Sequence, residues 1–138
     1  MENILTFLKA NGINILAVLV LILFLYPRLK LVFNKKIKNV SSDEALELIK
    51  SNKDLIILDV RTPDEFKSGH IQGAKNVPLG EIPRRMKELE KYRGKPLLVH
   101  CASGNRSIRA VGILLKNNYG PIYHMNRGLA GWNAGLKR

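Results

Sequence analysis

The chain has 138 residues, 46% of them apolar, enough for one domain with a core of its own. Its single cysteine excludes an internal disulfide framework and a paired-cysteine zinc site, and His70, His100 and His124 lack metal-ligand spacing, so neither metal nor cofactor is expected. The net charge of +12 suits anionic partners, but no nucleic-acid motif and no basic stripe interleaved with aromatics is present, which leaves lipid or anionic substrates.

Leu16 to Tyr26 is uninterrupted apolar sequence, and Pro27 is expected to close it. As a helix, Ile4 to Tyr26 would span roughly 34 Å at ~1.5 Å per residue, against a hydrocarbon core of ~30 Å. Lys9 and Asn11 would then sit at the far interface, where a lysine snorkels. Arg28, Lys30, Lys35, Lys36 and Lys38 follow with no acid between them, and no small-x-small cleavage site follows Tyr26. The expectation is an uncleaved single-span anchor over residues 1–27, with a signal peptide as the alternative. A basic juxtamembrane linker over 28–37 would lie against anionic headgroups, ahead of a domain over 38–138. The positive-inside rule puts that domain in the cytoplasm, where a lone thiol stays reduced and a membrane-protein partner is within reach.

Ser41 with Glu44 reads as a capping box, continued as a short helix by Ala45, Leu48 and Ile49. Leu55 to Leu58 is a buried strand that ends in Asp59-Val60-Arg61. Thr62-Pro63-Asp64-Glu65 opens a second capped helix, kept short by Gly69. Lys75 to Val77 reads as a brief strand, and Ile82, Met86 and Leu89 sit at helical spacing. Leu97 to Val99 is a buried strand, and Ile108, Val111, Gly112 and Leu115 form one face of a helix. Pro121 to His124 is a last strand, and Gly128 to Leu136 a glycine-broken helix around Trp132, an expected core residue. Strand and helix alternate, so the expected class is α/β, a parallel sheet covered on both faces. Ligands of such sheets bind beyond the carboxyl ends of strands, where both Asp59 and Cys101 fall.

The loop from Cys101 to Arg106 lies between the central strand and its helix. A loop there aims backbone N–H groups at one point, and the positive end of the helix dipole adds to their field. Cys101 at the rim of that cradle is a candidate reactive thiolate, with its pKa held below the free value of about 8.5. The plainer reading is a small buried hydrophobe.

Leu58-Asp59-Val60-Arg61-Thr62-Pro63-Asp64-Glu65-Phe66, followed by Gly69-His70-Ile71-Gln72-Gly73-Ala74-Lys75-Asn76-Val77-Pro78, resembles the first signature of the rhodanese family. The Cys101 loop resembles its active-site loop, and Gly128 to Trp132 its C-terminal signature. The resemblance covers roughly Lys38 to Leu136 and implies a rhodanese-like domain: a five-stranded parallel sheet with helices on both faces, here preceded by one transmembrane helix. It also implies sulfur transfer through a persulfide on Cys101, from a sulfane-sulfur donor to a thiol or cyanide acceptor. Backbone amides from Ala102, Ser103, Gly104, Asn105 and Arg106 would hold the persulfide, and Arg106 would add a positive charge for an anionic donor. Asp59, Arg61 and Ser107 would support the loop. Glu65 is a candidate partner for Arg61, and His70 a hydrogen-bonded structural residue. Ala102 stands where many thiosulfate-using members carry a basic residue, and Arg127-Gly128 where paired glycines are usual, so a different local turn is expected there.

Two other functions share these residues. His100-Cys101 with Arg106-Ser107 is also similar to a cysteine phosphatase or arsenate reductase loop, although those have five residues between cysteine and arginine and this chain has four. A membrane-tethered binding module that has kept the loop without catalysis is the other.

Overall fold

The computed structural model describes residues 2–10, 12, 15–32 and 36–138, in two compact units, Met1–Asn34 and Lys35–Arg138. In the first, α1 spans Glu2–Ala10 and α2 spans Ile15–Val32. Pro27 does not close the apolar run but lies inside α2. From Ile15 to Tyr26 its apolar side chains are exposed, with Leu23 at 75% and Phe24 at 68%. Among the described residues no single helix is long and apolar enough to cross a membrane, although the bent pair Asn3–Ala10 and Ile15–Pro27 meets the test together. The expected positions of Asn11 and Lys35, and the side chains of Arg28 and Lys30, lie outside the described residues.

The second unit is an α/β domain built on five parallel strands in the order β1-β5-β4-β2-β3. The strands are β1 Ile37–Val40, β2 Ile56–Asp59, β3 Lys75–Asn76, β4 Leu97–His100 and β5 Ile122–Met125. In the central strand β4, Leu97, Leu98 and Val99 are all wholly buried, as a parallel strand covered on both faces requires. Sequence reading missed β1. Ile-Lys-Asn-Val buries only its last residue, because this edge strand pairs with β5 alone. Its partner register, Ile37 with Ile122 through Val40 with Met125, closes the first strand of the sheet on the last.

Side chains alternate across each strand, which divides the core in two. On one face Leu58, Val99, Cys101 and Ile122 pack against Ala110, Val111 and Leu114 of α6, which spans Asn105–Lys116. On the other, Ile57, Leu98 and Met125 pack against Ala45 of α3, which spans Ser42–Ser51, with Trp132 at its margin. Each fully buried Leu or Val contributes about 1.5–3 kcal/mol. Both capping boxes form: Ser41 with Glu44 opens α3, and Thr62 with Glu65 opens α4, Pro63–Ser68.

Two expected helices are shorter than their spacing implies. Pro83 lacks an N–H to continue a helix from Ile82, so the segment becomes a 3-10 turn at Leu79–Glu81, a short α5 at Met86–Leu89 and a second 3-10 turn at Glu90–Tyr92. Gly128–Gly131 is a single 3-10 turn, after which the chain leaves the helical path and Lys137 bridges to His70.

Candidate active site

The site sits where β4 ends, at the carboxyl edge of the sheet. His100 is the last strand residue and Asn105 the first of α6, so four residues turn the chain back. Gly104 makes this possible: its φ is +98°, and a Cβ there would lie 1.9 Å from the Asn126 carbonyl oxygen.

Cys101 is not at the rim. It is wholly buried, continuing the α6 side of β4 beneath the loop. The amide of Gly104 donates to its Sγ at 3.1 Å and the amide of Ser107 at 3.4 Å, while Sγ is 3.4 Å from Ser107 Oγ. Burial pushes the thiol pKa up; the Ser107 hydroxyl and the amides of Ser107, Ser103 and Gly104 pull it down more strongly, and the net position is below the ordinary value.

The loop is held from behind by the segment after β5. Leu129 donates its N–H to the Cys101 carbonyl at 3.0 Å and Ala130 to the Ala102 carbonyl at 2.9 Å. Such close backbone contact requires Gly128, at φ +54°, where a Cβ would lie 2.4 Å from the Cys101 oxygen. Arg127 has φ −96° and ψ −1°, open to any residue, so the absent glycine is not needed and no unusual turn forms there.

Asp59 and Arg61 lie on the other side of the loop as a buried pair. Arg61 Nη2 donates to Asp59 Oδ2 at 2.7 Å and to the Gly69 carbonyl at 2.7 Å. Asn76 Nδ2 donates to both the Asp59 and Arg61 carbonyls, at 3.0 and 2.9 Å. The ends of β2, α4 and β3 are thus tied together beside the loop. His70 donates from Nδ1 to the Phe66 carbonyl, 2.9 Å away, and stacks on the Phe66 ring.

Glu65 does not pair with Arg61. It reaches Arg106 instead, 41 residues along the chain, with Nη1 2.7 Å from Oε2 and Nη2 2.8 Å from Oε1. The Arg106 guanidinium, with the Thr62 amide, holds the Glu65 carboxyl down to about 2. The positive charge expected to face an anionic donor is therefore already matched. Arg61, Glu65, Ala102, Leu129, Ala130 and Leu136 border a cleft of about 430 Å³ over the loop.

His124, which lacks metal-ligand spacing in the sequence, is a hydrogen-bonded histidine. It is buried on the α6 face of β5, with Nε2 2.8 Å from Ser107 Oγ and Nδ1 3.0 Å from Asn39 Oδ1. Its signal in the sequence is its place two residues after Ile122, on the same strand face, where an apolar residue is expected. His100 adjoins Cys101 in sequence but belongs to the opposite face, its Nε2 3.7 Å from Asp59 Oδ2.

Residues 41–135 match the family described as rhodanese-like domain. A sulfurtransferase of Allochromatium vinosum is 30% identical over 96 residues, covering 70% of this chain and 88% of that protein. YqhL, an uncharacterized protein of Bacillus subtilis, is 38% identical over 81 residues, covering 59% of this chain and 63% of its own length. The crystal structure of a rhodanese-like domain protein from Staphylococcus aureus superposes with a TM-score of 0.65 at 30% identity, covering 72% of this chain and 96% of that one.

Proposed function

This chain belongs to the rhodanese-like domain family, and from that premise we propose that it is a sulfurtransferase carrying sulfane sulfur as a persulfide on Cys101. The observation that carries this reading is the setting of Sγ, with two backbone amides and a hydroxyl within hydrogen-bond reach at the end of a parallel strand. The Cys101 thiolate attacks the sulfane sulfur of the donor, and the bond from that sulfur to the rest of the donor breaks with its electron pair. An acceptor thiolate or cyanide then attacks the outer sulfur, and Cys101 departs as thiolate. Negative charge stays on sulfur throughout, where the amides of Ala102 to Arg106 and of Ser107 stabilise it. Asp59 and Arg61 tie the ends of β2, α4 and β3 together beside the loop.

The electrostatics of the cleft favour one class of donor. Arg106 is neutralised by Glu65, Arg61 by Asp59, and Ala102 contributes no charge. A dianion such as thiosulfate therefore finds no unmatched cation there, whereas Ala102, Leu129, Ala130 and Leu136 offer apolar contact. The donor we infer is sulfur borne on an organic or protein thiol. The Glu65–Arg106 pair is intact above the ordinary carboxylate range and is lost only as pH falls toward about 2, so this preference persists across neutral and mildly acidic pH. The test compares kcat/KM for thiosulfate and for a low-molecular-weight persulfide in wild type and Glu65→Gln. Wild type is expected to prefer the persulfide and to hydrolyse no aryl phosphate. Glu65→Gln, which frees Arg106, is expected to raise thiosulfate use by about tenfold relative to the persulfide, one charge–charge contact in a partly wet site. A wild type that prefers thiosulfate overturns the donor class, and aryl-phosphate turnover without any persulfide overturns the sulfurtransferase reading.

Residues 1–27 are proposed to anchor the domain in the cell membrane, with 28–37 as a basic linker and 38–138 facing the cytoplasm. The support is α2, whose exposed apolar side chains need a non-aqueous surrounding. Protease added to intact cells is expected to spare the domain, and alkaline washing to leave the protein with the membranes. Release into the wash overturns the anchor, and digestion overturns the orientation.

A further inference from the structure

The Cys101 thiol is buried beside a relay of hydrogen-bonding side chains. Sγ of Cys101 has Ser107 Oγ within hydrogen-bond reach at 3.4 Å, as acceptor for its proton. Ser107 Oγ in turn is 3.1 Å from the Gly104 carbonyl, which has no basicity, and 2.8 Å from His124 Nε2, which does. With Asn39 Oδ1 3.0 Å from Nδ1, the Nδ1 atom carries the imidazole proton and Nε2 keeps its lone pair for Ser107. We propose that Ser107 and His124 form the proton path of the Cys101 thiol. The S–H proton passes to Ser107 Oγ as the Ser107 O–H proton passes to His124 Nε2, leaving a thiolate and an imidazolium with no net change in charge. When sulfur is discharged to an acceptor the same path returns the proton to the departing thiolate. The inference rests on Cys101 acting as a thiolate, as the sulfurtransferase reading requires, but not on sulfur being what it carries.

Among the described residues no other base is placed for this role. Asp59 and His100 lie on the opposite face of the sheet, and the Glu65 carboxylate is held by Arg106. Around His124, β1 presents Asn39, β4 presents Val99 in register, and the start of α6 presents Ser107 and the Gly104 carbonyl, all uncharged. The charged side chain that bears on Cys101 is Arg106, already paired. Burial lowers the His124 pKa, so the imidazole is neutral and able to accept at neutral pH. Asn39, at the far end, stands in the wall of a polar cleft of about 500 Å³ and holds the imidazolium Nδ1–H by its amide oxygen.

The test is the pH dependence of Cys101 alkylation by iodoacetamide, which reads the thiolate without any sulfur donor. His124→Gln keeps polar atoms for Ser107 and Asn39 but takes no proton. Its alkylation at neutral pH is expected to fall by about tenfold or more, with the apparent thiol pKa rising above that of the wild type. Ser107→Thr, which keeps the hydroxyl, is expected to retain the wild-type profile, and Ser107→Ala to lose it. A His124→Gln protein with the wild-type profile overturns the proposal, since His124 then only satisfies the hydroxyl. Where His124→Gln does not fold, imidazole nitrogen spectra of the wild-type protein decide: the Nδ1–H tautomer is expected at rest, and an Nε2–H tautomer overturns it. Failure of persulfide formation with these shifts intact would remove the sulfurtransferase reading and leave the proton path standing.

Discussion

Cys101→Ser is expected to form no persulfide with any donor while the domain remains folded. The serine hydroxyl keeps the amides of Gly104 and Ser107 as partners, so no buried polar group is orphaned. Its smaller, more polar atom sits among Leu58, Val99 and Val111 and costs about 1–2 kcal/mol. Oxygen at this position is neither acidic enough to ionise nor able to hold a sulfane sulfur. Intact mass after exposure to a donor is the measurement: wild type gains one sulfur atom, and the variant none. Thermal melting of the same sample separates loss of chemistry from loss of fold. Residual transfer in a folded Cys101→Ser protein would remove Cys101 from its role as carrier.

Gly104→Ala is expected to be far more damaging to structure. The added Cβ meets the Asn126 carbonyl at 1.9 Å, backbone against backbone, at a φ of +98° that alanine avoids. The left-handed conformation costs about 1–2 kcal/mol and the overlap about 1–3 more, so about 3 kcal/mol is lost, a fall in Tm of roughly 12–24 °C for a domain of this size. Gly73→Ala is the control, because its φ is +85° with nothing within 4 Å of a Cβ. It carries the conformational cost alone, about 1–2 kcal/mol. The difference between the two melting temperatures isolates the close approach of the loop to Asn126. Equal melting temperatures would mean that the loop is not held against that carbonyl.

Local rules made the frame of the domain legible. Ser41 with Glu44 and Thr62 with Glu65 announced the starts of α3 and α4 because a capping box is complete within four residues. The apolar run at Leu97 and the spacing from Ile108 announced β4 and α6 in the same way. What depends on distant parts of the chain was not legible. β1 reads as polar because half of it faces away from the core, and only β5, more than 80 residues later, makes it a strand. Glu65 stands four residues after Arg61, a spacing that invites pairing, yet Arg61 is taken by Asp59 and the Gly69 carbonyl, and Glu65 by Arg106. Spacing located the Cys101 loop along the chain but not its depth, because depth depends on packing against Leu58, Val111 and other residues distant in sequence. His124 was invisible as a site residue for the same reason: its partners Ser107 and Asn39 are 17 and 85 residues away.

The clamp on the loop also sets an order of events at the ribosome. Cys101 is synthesised before Gly128 to Ala130, and at ~5–20 residues per second the delay is roughly one to six seconds. During that interval nothing presses Gly104 and the amides of the loop into place, and β1 has no β5 to join. The nascent thiol is then an ordinary, largely protonated one, slow to react with oxidants. The amide cradle around Cys101 therefore takes its final shape only once Leu129 and Ala130 can bind the Cys101 and Ala102 carbonyls.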